Sequence, residues 1–85
     1  MYDIHLERKA ERDLKKLEVD IFHRIISNIK SLSKNPKPPG SRKITGSKKD
    51  WRIRTGDYRI IYEIDDRAKT VRVMRLRHRR DVYRV

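Results

Sequence analysis

The chain reads as an α+β protein with the order β-α-α-β-β-β, two helices packing on one face of a largely antiparallel sheet. Two observations lead there. In the first third apolar residues recur at spacings of three and four, whereas over residues 51–76 they alternate with charged residues at the strand period of two. Between these regimes stand three prolines and Gly40, which no helix continues through. Helices with one apolar stripe and strands with one apolar face must bury each other. Eighty-five residues form one domain, 1–85, with a single modest core.

Each element follows from its pattern. Tyr2, Ile4 and Leu6 alternate with Asp3 and His5, a short strand whose His5 faces solvent. Ala10, Leu14 and Leu17 then mark a narrow apolar stripe on a charged helix, with Glu11 and Lys15 four residues apart on its surface. Asp20 is expected to cap a second helix, whose wide face is Ile21, Phe22, Ile25, Ile26, Ile29 and Leu32. His23 falls on its polar side. Residues 34–40, KNPKPPG, end the helical part. Arg42, Lys43 and Ile44, extended at Ile44, lead through a basic loop to the next strand.

The segment WRIRTGDYRIIYEI, 51–64, is a hairpin about Gly56-Asp57, because Gly supplies the positive φ that tight hairpin turns require. This loop sets Thr55 against Tyr58, Arg54 against Arg59, Ile53 against Ile60, Arg52 against Ile61 and Trp51 against Tyr62. Trp51, Ile53, Ile60 and Tyr62 then share the core face, and Arg52, Arg54, Arg59 and Ile61 the other. Like charges on facing strands repel, so three guanidinium groups there call for an anion among them or full solvation. Residues 65–69 turn the chain into a third strand, 70–76, with Ile64 opposite Val71, Tyr62 opposite Val73, and Glu63 opposite Arg72 as an ion pair. Met74 joins the basic face. Arg75 conflicts with plain alternation, which requires either snorkelling or a bulge.

Charge is unevenly distributed. Of a formal net charge of +12, residues 1–33 carry 7 Lys/Arg against 6 Asp/Glu and residues 34–85 carry 17 against 6. The second part would attract nucleic acid or an acidic protein. The absence of Cys removes disulfides, thiolate chemistry and Cys-based metal sites, which fits a cytoplasmic protein. No apolar run approaches the ~20 residues of a membrane span, so no membrane role is expected. Three scattered His form no metal motif, no phosphate-binding Gly loop occurs, and neither a metal nor another cofactor is expected. Arg, Lys, Tyr and a C-terminal His remain. Guanidinium forks suit RNA phosphodiesters and the extra charge of a pentavalent transition state. Arginine holds its proton too firmly to be the base, leaving His78, Tyr83 or a Lys for proton transfer.

The hairpin and the tail HRRDVY, 78–83, resemble the RelE branch of the RelE/ParE superfamily of toxins from type II toxin–antitoxin modules, and the likeness spans essentially the whole chain. The resemblance implies a RelE-like fold and a ribosome-dependent mRNA endoribonuclease, acting through attack of a ribose 2′-OH on the adjacent phosphate. It implies as partners a cognate antitoxin, the ribosome and mRNA, with operator DNA reached only through the antitoxin complex. Carried over by position, Arg59 and Arg79 are the phosphate-stabilising arginines, and Tyr83 stacks on a base or positions the nucleophile; His78, next to Arg79 in the chain, is a further catalytic candidate as a substitute proton-transfer group. Lys48, Lys49, Arg52, Arg54 and Arg80 are the RNA-binding candidates. Arg52 and Arg54 stand where relatives often have Lys, which could surrender a proton as arginine cannot. Two alternatives remain: a ParE-type poison of DNA gyrase, and a non-catalytic relic that binds only antitoxin and operator DNA.

Overall fold

The computed structural model describes residues 1–47 and 49–82. Its elements are β1 (Asp3–Leu6), α1 (Arg8–Lys15), α2 (Val19–Ser31), β2 (Arg42–Lys43), β3 (Asp50–Thr55), β4 (Tyr58–Asp65), β5 (Thr70–His78) and α3 (Arg79–Val82). One five-stranded sheet runs β1-β5-β4-β3-β2, with β1 parallel to β5 and the other neighbours antiparallel.

The hairpin register is the expected one at all five pairs from Thr55↔Tyr58 to Trp51↔Tyr62. At its tip Gly56 has φ 59°. A β-carbon there would meet nothing within 4 Å, so Gly is required by the backbone conformation and not by crowding. Tyr62, Glu63 and Ile64 face Val73, Arg72 and Val71, also as expected.

Because β4 and β5 are flanked on both sides, their inward residues are the best buried. Ile60, Tyr62, Ile64, Val71, Val73 and Leu76 meet Ala10 and Leu14 of α1, Ile25 and Ile29 of α2, and Leu32. Each full burial of a large apolar side chain contributes about 1.5–3 kcal/mol. Trp51 and Ile53, nearer the edge, are half-buried, as are Ile21, Phe22 and Ile26 on α2.

The conflict at Arg75 is resolved by a bulge. Tyr62 faces Val73 while Ile61 faces Arg75, so Met74 is the extra residue between them. Leu76 is thereby returned to the core, opposite Ile60, and Arg75 is released towards α1. Its Nε donates to Asp13 Oδ2 at 2.9 Å, and the same carboxylate oxygen accepts the Leu76 backbone N–H at 2.9 Å. The second bond matters because β1 ends opposite Val73, leaving the rest of β5 as an edge whose donors need partners. Burial alone would push the Asp13 carboxyl up; the bonds from Arg75 and Leu76 overcome it and hold the group below the ordinary carboxylate range.

The Pro-rich loop is fastened to the core by Tyr62, whose hydroxyl donates to the Pro36 carbonyl at 2.8 Å. Lys37 Nζ lies 5.1 Å from the centre of the Trp51 ring, a cation–π contact on the same loop. Burial pushes the Tyr62 hydroxyl up to about 12.

Four expectations are corrected. Asp20 is not the cap: α2 begins at Val19, and Glu18 is the extended N-cap residue, without a side-chain cap bond. The extended residues before the hairpin are Arg42 and Lys43, a fifth strand, because the loop closes when the Ile44 N–H bonds the Asp50 carbonyl at 2.9 Å. Arg72 faces Glu63 yet pairs with Glu7, 3.4 Å away, since the parallel β1 brings the start of α1 beside it. The last strand also runs on to His78, and Arg79–Val82 form a short helix.

Two outcomes follow. Asp13→Asn is expected to lower the unfolding free energy at neutral pH by about 1–3 kcal/mol, because Arg75 and the Leu76 N–H lose a charged acceptor. A carboxylate held low contributes stability above its unfolded pKa, near 4, and loses it as pH falls through the folded value; Asp13→Asn should flatten that acid limb in denaturant titrations. Tyr62→Phe acts at the other end of the scale. The folded protein holds the Tyr62 proton to about pH 12 while the unfolded chain releases it near pH 10, so this contribution is present below pH 10 and lost as pH rises through 12. Thermal melts from pH 9 to 12 should fall less steeply in Tyr62→Phe, and equal slopes would contradict the assignment.

Candidate nucleic-acid interface

Strand alternation carries Arg52 and Arg54 to the sheet face opposite the helices, because Trp51 and Ile53 turn inward between them. The flanking strands extend the same pattern. Arg42 faces Arg52 across β2 and β3, Arg54 faces Arg59 across β3 and β4, and Arg59 faces Arg77 across β4 and β5. Gly40, Arg42, Arg52, Arg54 and Arg59 together line an open concavity of about 340 Å³. Three cross-strand pairs of like charge on one face are individually unfavourable.

The turn end of this ribbon has its own anchoring. Arg54 Nε donates to the Gly56 carbonyl at 3.3 Å. The Arg79 N–H donates to the Asp57 carbonyl at 2.7 Å, and the Arg79 guanidinium stands 3.9 Å from the Asp57 carboxylate. With both side chains more than half exposed, the ion pair contributes little; the backbone bond sets where Arg79 emerges.

His78 is placed differently. It faces Tyr58, the partner of Thr55, and so stands on the helix side of the sheet. Its ring meets Tyr58 edge to face at 5.1 Å, and it borders a second cavity of about 270 Å³ with Lys16 and Leu17. His78 Nδ1 accepts the Arg80 N–H at 3.2 Å, which orients the ring.

Thus Arg52, Arg54 and Arg59 share one site, with Arg79 at its turn end, while His78 is at the rim behind them. Arg80 is exposed beside His78. Lys49 stands at the opposite end of the ribbon, five residues or about 17 Å along the strand from Arg54. Its carbonyl accepts the Ile64 N–H at 3.0 Å. The Ala68 N–H, then the charge of Lys49, hold the Asp65 carboxyl low. Lys48 and Tyr83 lie outside the described residues.

Arg42 and Arg77 join the basic face without having been singled out from sequence. Arg42 has no apolar neighbour to mark a strand, and its place depends on the return of the 44–49 loop. Arg77 was hidden by the Met74 bulge, which changes the face of every residue after it. Among the described residues no group of three His, Asp or Glu could hold a metal ion, and no helix is long and apolar enough to cross a membrane.

Two helices on one face of a mostly antiparallel sheet, with arginines on the other, define a RelE-like α+β toxin fold. The sequence model of the ParE toxin of type II toxin-antitoxin system, parDE, matches residues 4–83. The chain belongs to this family, a type II toxin–antitoxin toxin of the RelE/ParE superfamily. It is 34% identical to toxin RelG of Mycobacterium tuberculosis, over 98% of this chain and 97% of the relative. A similar structure is the toxin–antitoxin complex RelBE2 of M. tuberculosis, at TM-score 0.81 and 29% identity, covering 91% of this chain and 96% of that one. The archaeal RelE–RelB complex of Pyrococcus horikoshii OT3 shares the fold at TM-score 0.83 and 24% identity, over 99% and 98% of the two chains.

The Arg42–Arg52 pair makes the cost of this face measurable. Arg52→Thr, with a residue well suited to strands, is expected to leave stability unchanged or raise it by up to about 1 kcal/mol at low salt. The gain should shrink as salt is added. Chemical denaturation at two ionic strengths tests this, and a clear loss at both would contradict it.

Proposed function

We propose that this toxin is a ribosome-dependent mRNA endoribonuclease that inhibits translation. The observation that carries the reading is the concavity lined by Arg42, Arg52, Arg54 and Arg59, with Arg79 emerging at its turn end. Guanidinium forks at this spacing suit a phosphodiester and the added negative charge of its transition state. In the proposed step the ribose 2′-oxygen attacks the neighbouring phosphorus, its proton passes to a base, and the P–O5′ bond breaks as the leaving oxygen takes up a proton. The products are a 2′,3′-cyclic phosphate and a 5′-hydroxyl.

Among the described residues of this face binding charge is ample and groups suited to proton transfer are few. The arginines remain protonated, and His78 stands on the other side of the sheet with Nδ1 engaged. A message held in line by the ribosome would supply by orientation what the side chains do not supply by acid–base chemistry. This reading puts the protein in the cytoplasm, with ribosome and mRNA as partners and operator DNA contacted through an antitoxin complex. The structural relatives crystallised as toxin–antitoxin complexes support a cognate antitoxin. Half-exposed Ile21, Phe22 and Ile26 on α2 and the basic second half of the chain suit an acidic amphipathic segment.

The match to the ParE family model favours a second reading, a DNA gyrase poison that leaves RNA intact. Primer extension on a message, free and in a programmed ribosome with an open A site, separates the two. Cleavage on the ribosome and little on free RNA is expected; intact message with DNA damage in induced cells would support gyrase. Arg59→Ala and Arg79→Ala should each lower ribosomal cleavage about 10²–10³-fold while keeping the native circular dichroism spectrum. Wild-type cleavage by folded Arg59→Ala would overturn the proposed site.

A further inference from the structure

The cross-strand register assigns the basic face more than one phosphate, and this inference rests on the RNA reading above. Arg42 and Arg52 face each other across β2 and β3, and Arg54 and Arg59 across β3 and β4. Arg52 and Arg54 are two residues apart on β3, so the two pairs are separated by about 6.7 Å along the strand and one strand spacing, about 4.8 Å, across it. That offset is comparable with one nucleotide step of an extended strand, so the two pairs are spaced to take consecutive phosphates. All four arginines line the same concavity, and Gly40 beside Arg42 has nothing within 4 Å of the place a β-carbon would occupy. The space next to Arg42 is therefore open to an approaching sugar–phosphate backbone.

We propose that Arg42 and Arg52 form a second phosphate subsite, holding the phosphodiester next to the one engaged by Arg54 and Arg59, with Arg42 as its outer ligand. The face then holds at least two consecutive phosphates of a single strand, running diagonally from β2 towards the turn end of β4. Arg42 contributes to holding the substrate and touches no reacting atom. An acidic peptide, the other polyanion such a face attracts, lacks the regular phosphate spacing.

The test uses the full-length toxin and a short single-stranded RNA carrying one 2′-deoxy residue at the cleavage position. Anisotropy titrations from low to moderate salt give the slope of log K against log salt. Each phosphate contact contributes about −0.7 for single strands, so Arg42→Ala is expected to make the slope shallower by about that amount. Arg42→Lys should keep most of the slope while weakening binding, since a point charge replaces a fork. Arg12→Ala, the same loss of charge on an exposed part of α1, should leave the slope unaltered. An uncharged methylphosphonate at the flanking position should weaken the wild-type protein severalfold and Arg42→Ala no further. On programmed ribosomes the fall in kcat/KM for Arg42→Ala should be carried mainly by KM, in contrast to Arg59→Ala. An unchanged slope in Arg42→Ala, or an equal loss in Arg12→Ala, overturns the subsite while ribosomal cleavage by the wild type keeps the nuclease reading. A wild-type protein that neither binds this RNA with salt dependence nor cuts on ribosomes overturns both, and preferential binding of an acidic peptide points to the face as a protein-docking surface.

Discussion

A slip of one residue between β3 and β4 would turn Ile60 and Tyr62 out to solvent and drive Arg59 beneath the helices. The pleat makes every such slip an exchange of the two faces. Here one face is fully apolar at its centre and the other is strongly cationic, so the exchange would bury guanidinium groups under Ile25 and Ile29. The register of this hairpin therefore fixes core and basic face in one step. The turn reinforces it, since Gly56 supplies the positive φ that joins the strands at Thr55 and Tyr58. Repulsion within the arginine pairs is tolerated because the opposite faces of the same residues' strands hold the best-packed side chains of the molecule.

The hairpin was legible in the sequence because turn chemistry, alternation and charge all specify one pairing. Much of β5 was legible for the same reason, up to the point where Arg75 breaks the alternation. There the sequence poses a conflict without its solution, which is a bulge at Met74 and an acceptor, Asp13, lying 62 residues earlier in the chain. The Arg72 ion pair failed in the same way: Glu63 is its neighbour on the adjacent strand, but the nearer carboxylate, Glu7, arrives through the parallel β1. Short-range patterns do not encode such long-range encounters. β2 was missed because two charged residues carry no periodicity, and the Asp20 cap was misplaced by two residues where Glu18 simply starts the helix in extended geometry.

For the candidate site the same division holds. Arg52, Arg54 and Arg59 follow from alternation alone, and their convergence is a consequence of pairing. His78 stands only one residue before Arg79, and adjacency in the chain made it a neighbour of the phosphate arginines. In the fold β5 continues to His78, and alternation after the bulge directs that ring towards Tyr58 and the helices. Sequence proximity at the end of a strand says little about shared faces.

This separation changes the chemistry that the molecule can offer by itself. An arginine face binds and stabilises charge at any ordinary pH, and its fixed cations give it little means of moving a proton. The imidazole of His78 is held on the far side, with one nitrogen accepting the N–H of Arg80. That bond and the Arg79–Asp57 backbone bond both act at the start of α3, tying the last described turn to β5 on one side and to the hairpin tip on the other. The stability of the tail's first residues thus depends on the hairpin that also defines the basic face. Asp13 extends the dependence to α1, because its carboxylate secures the unpaired edge of β5 at Leu76, two residues before His78. Core packing, edge protection and the placement of Arg79 are consequently carried by β5, and a disturbance at the Met74 bulge would reach Arg79 through the backbone before it reached the arginines of β3.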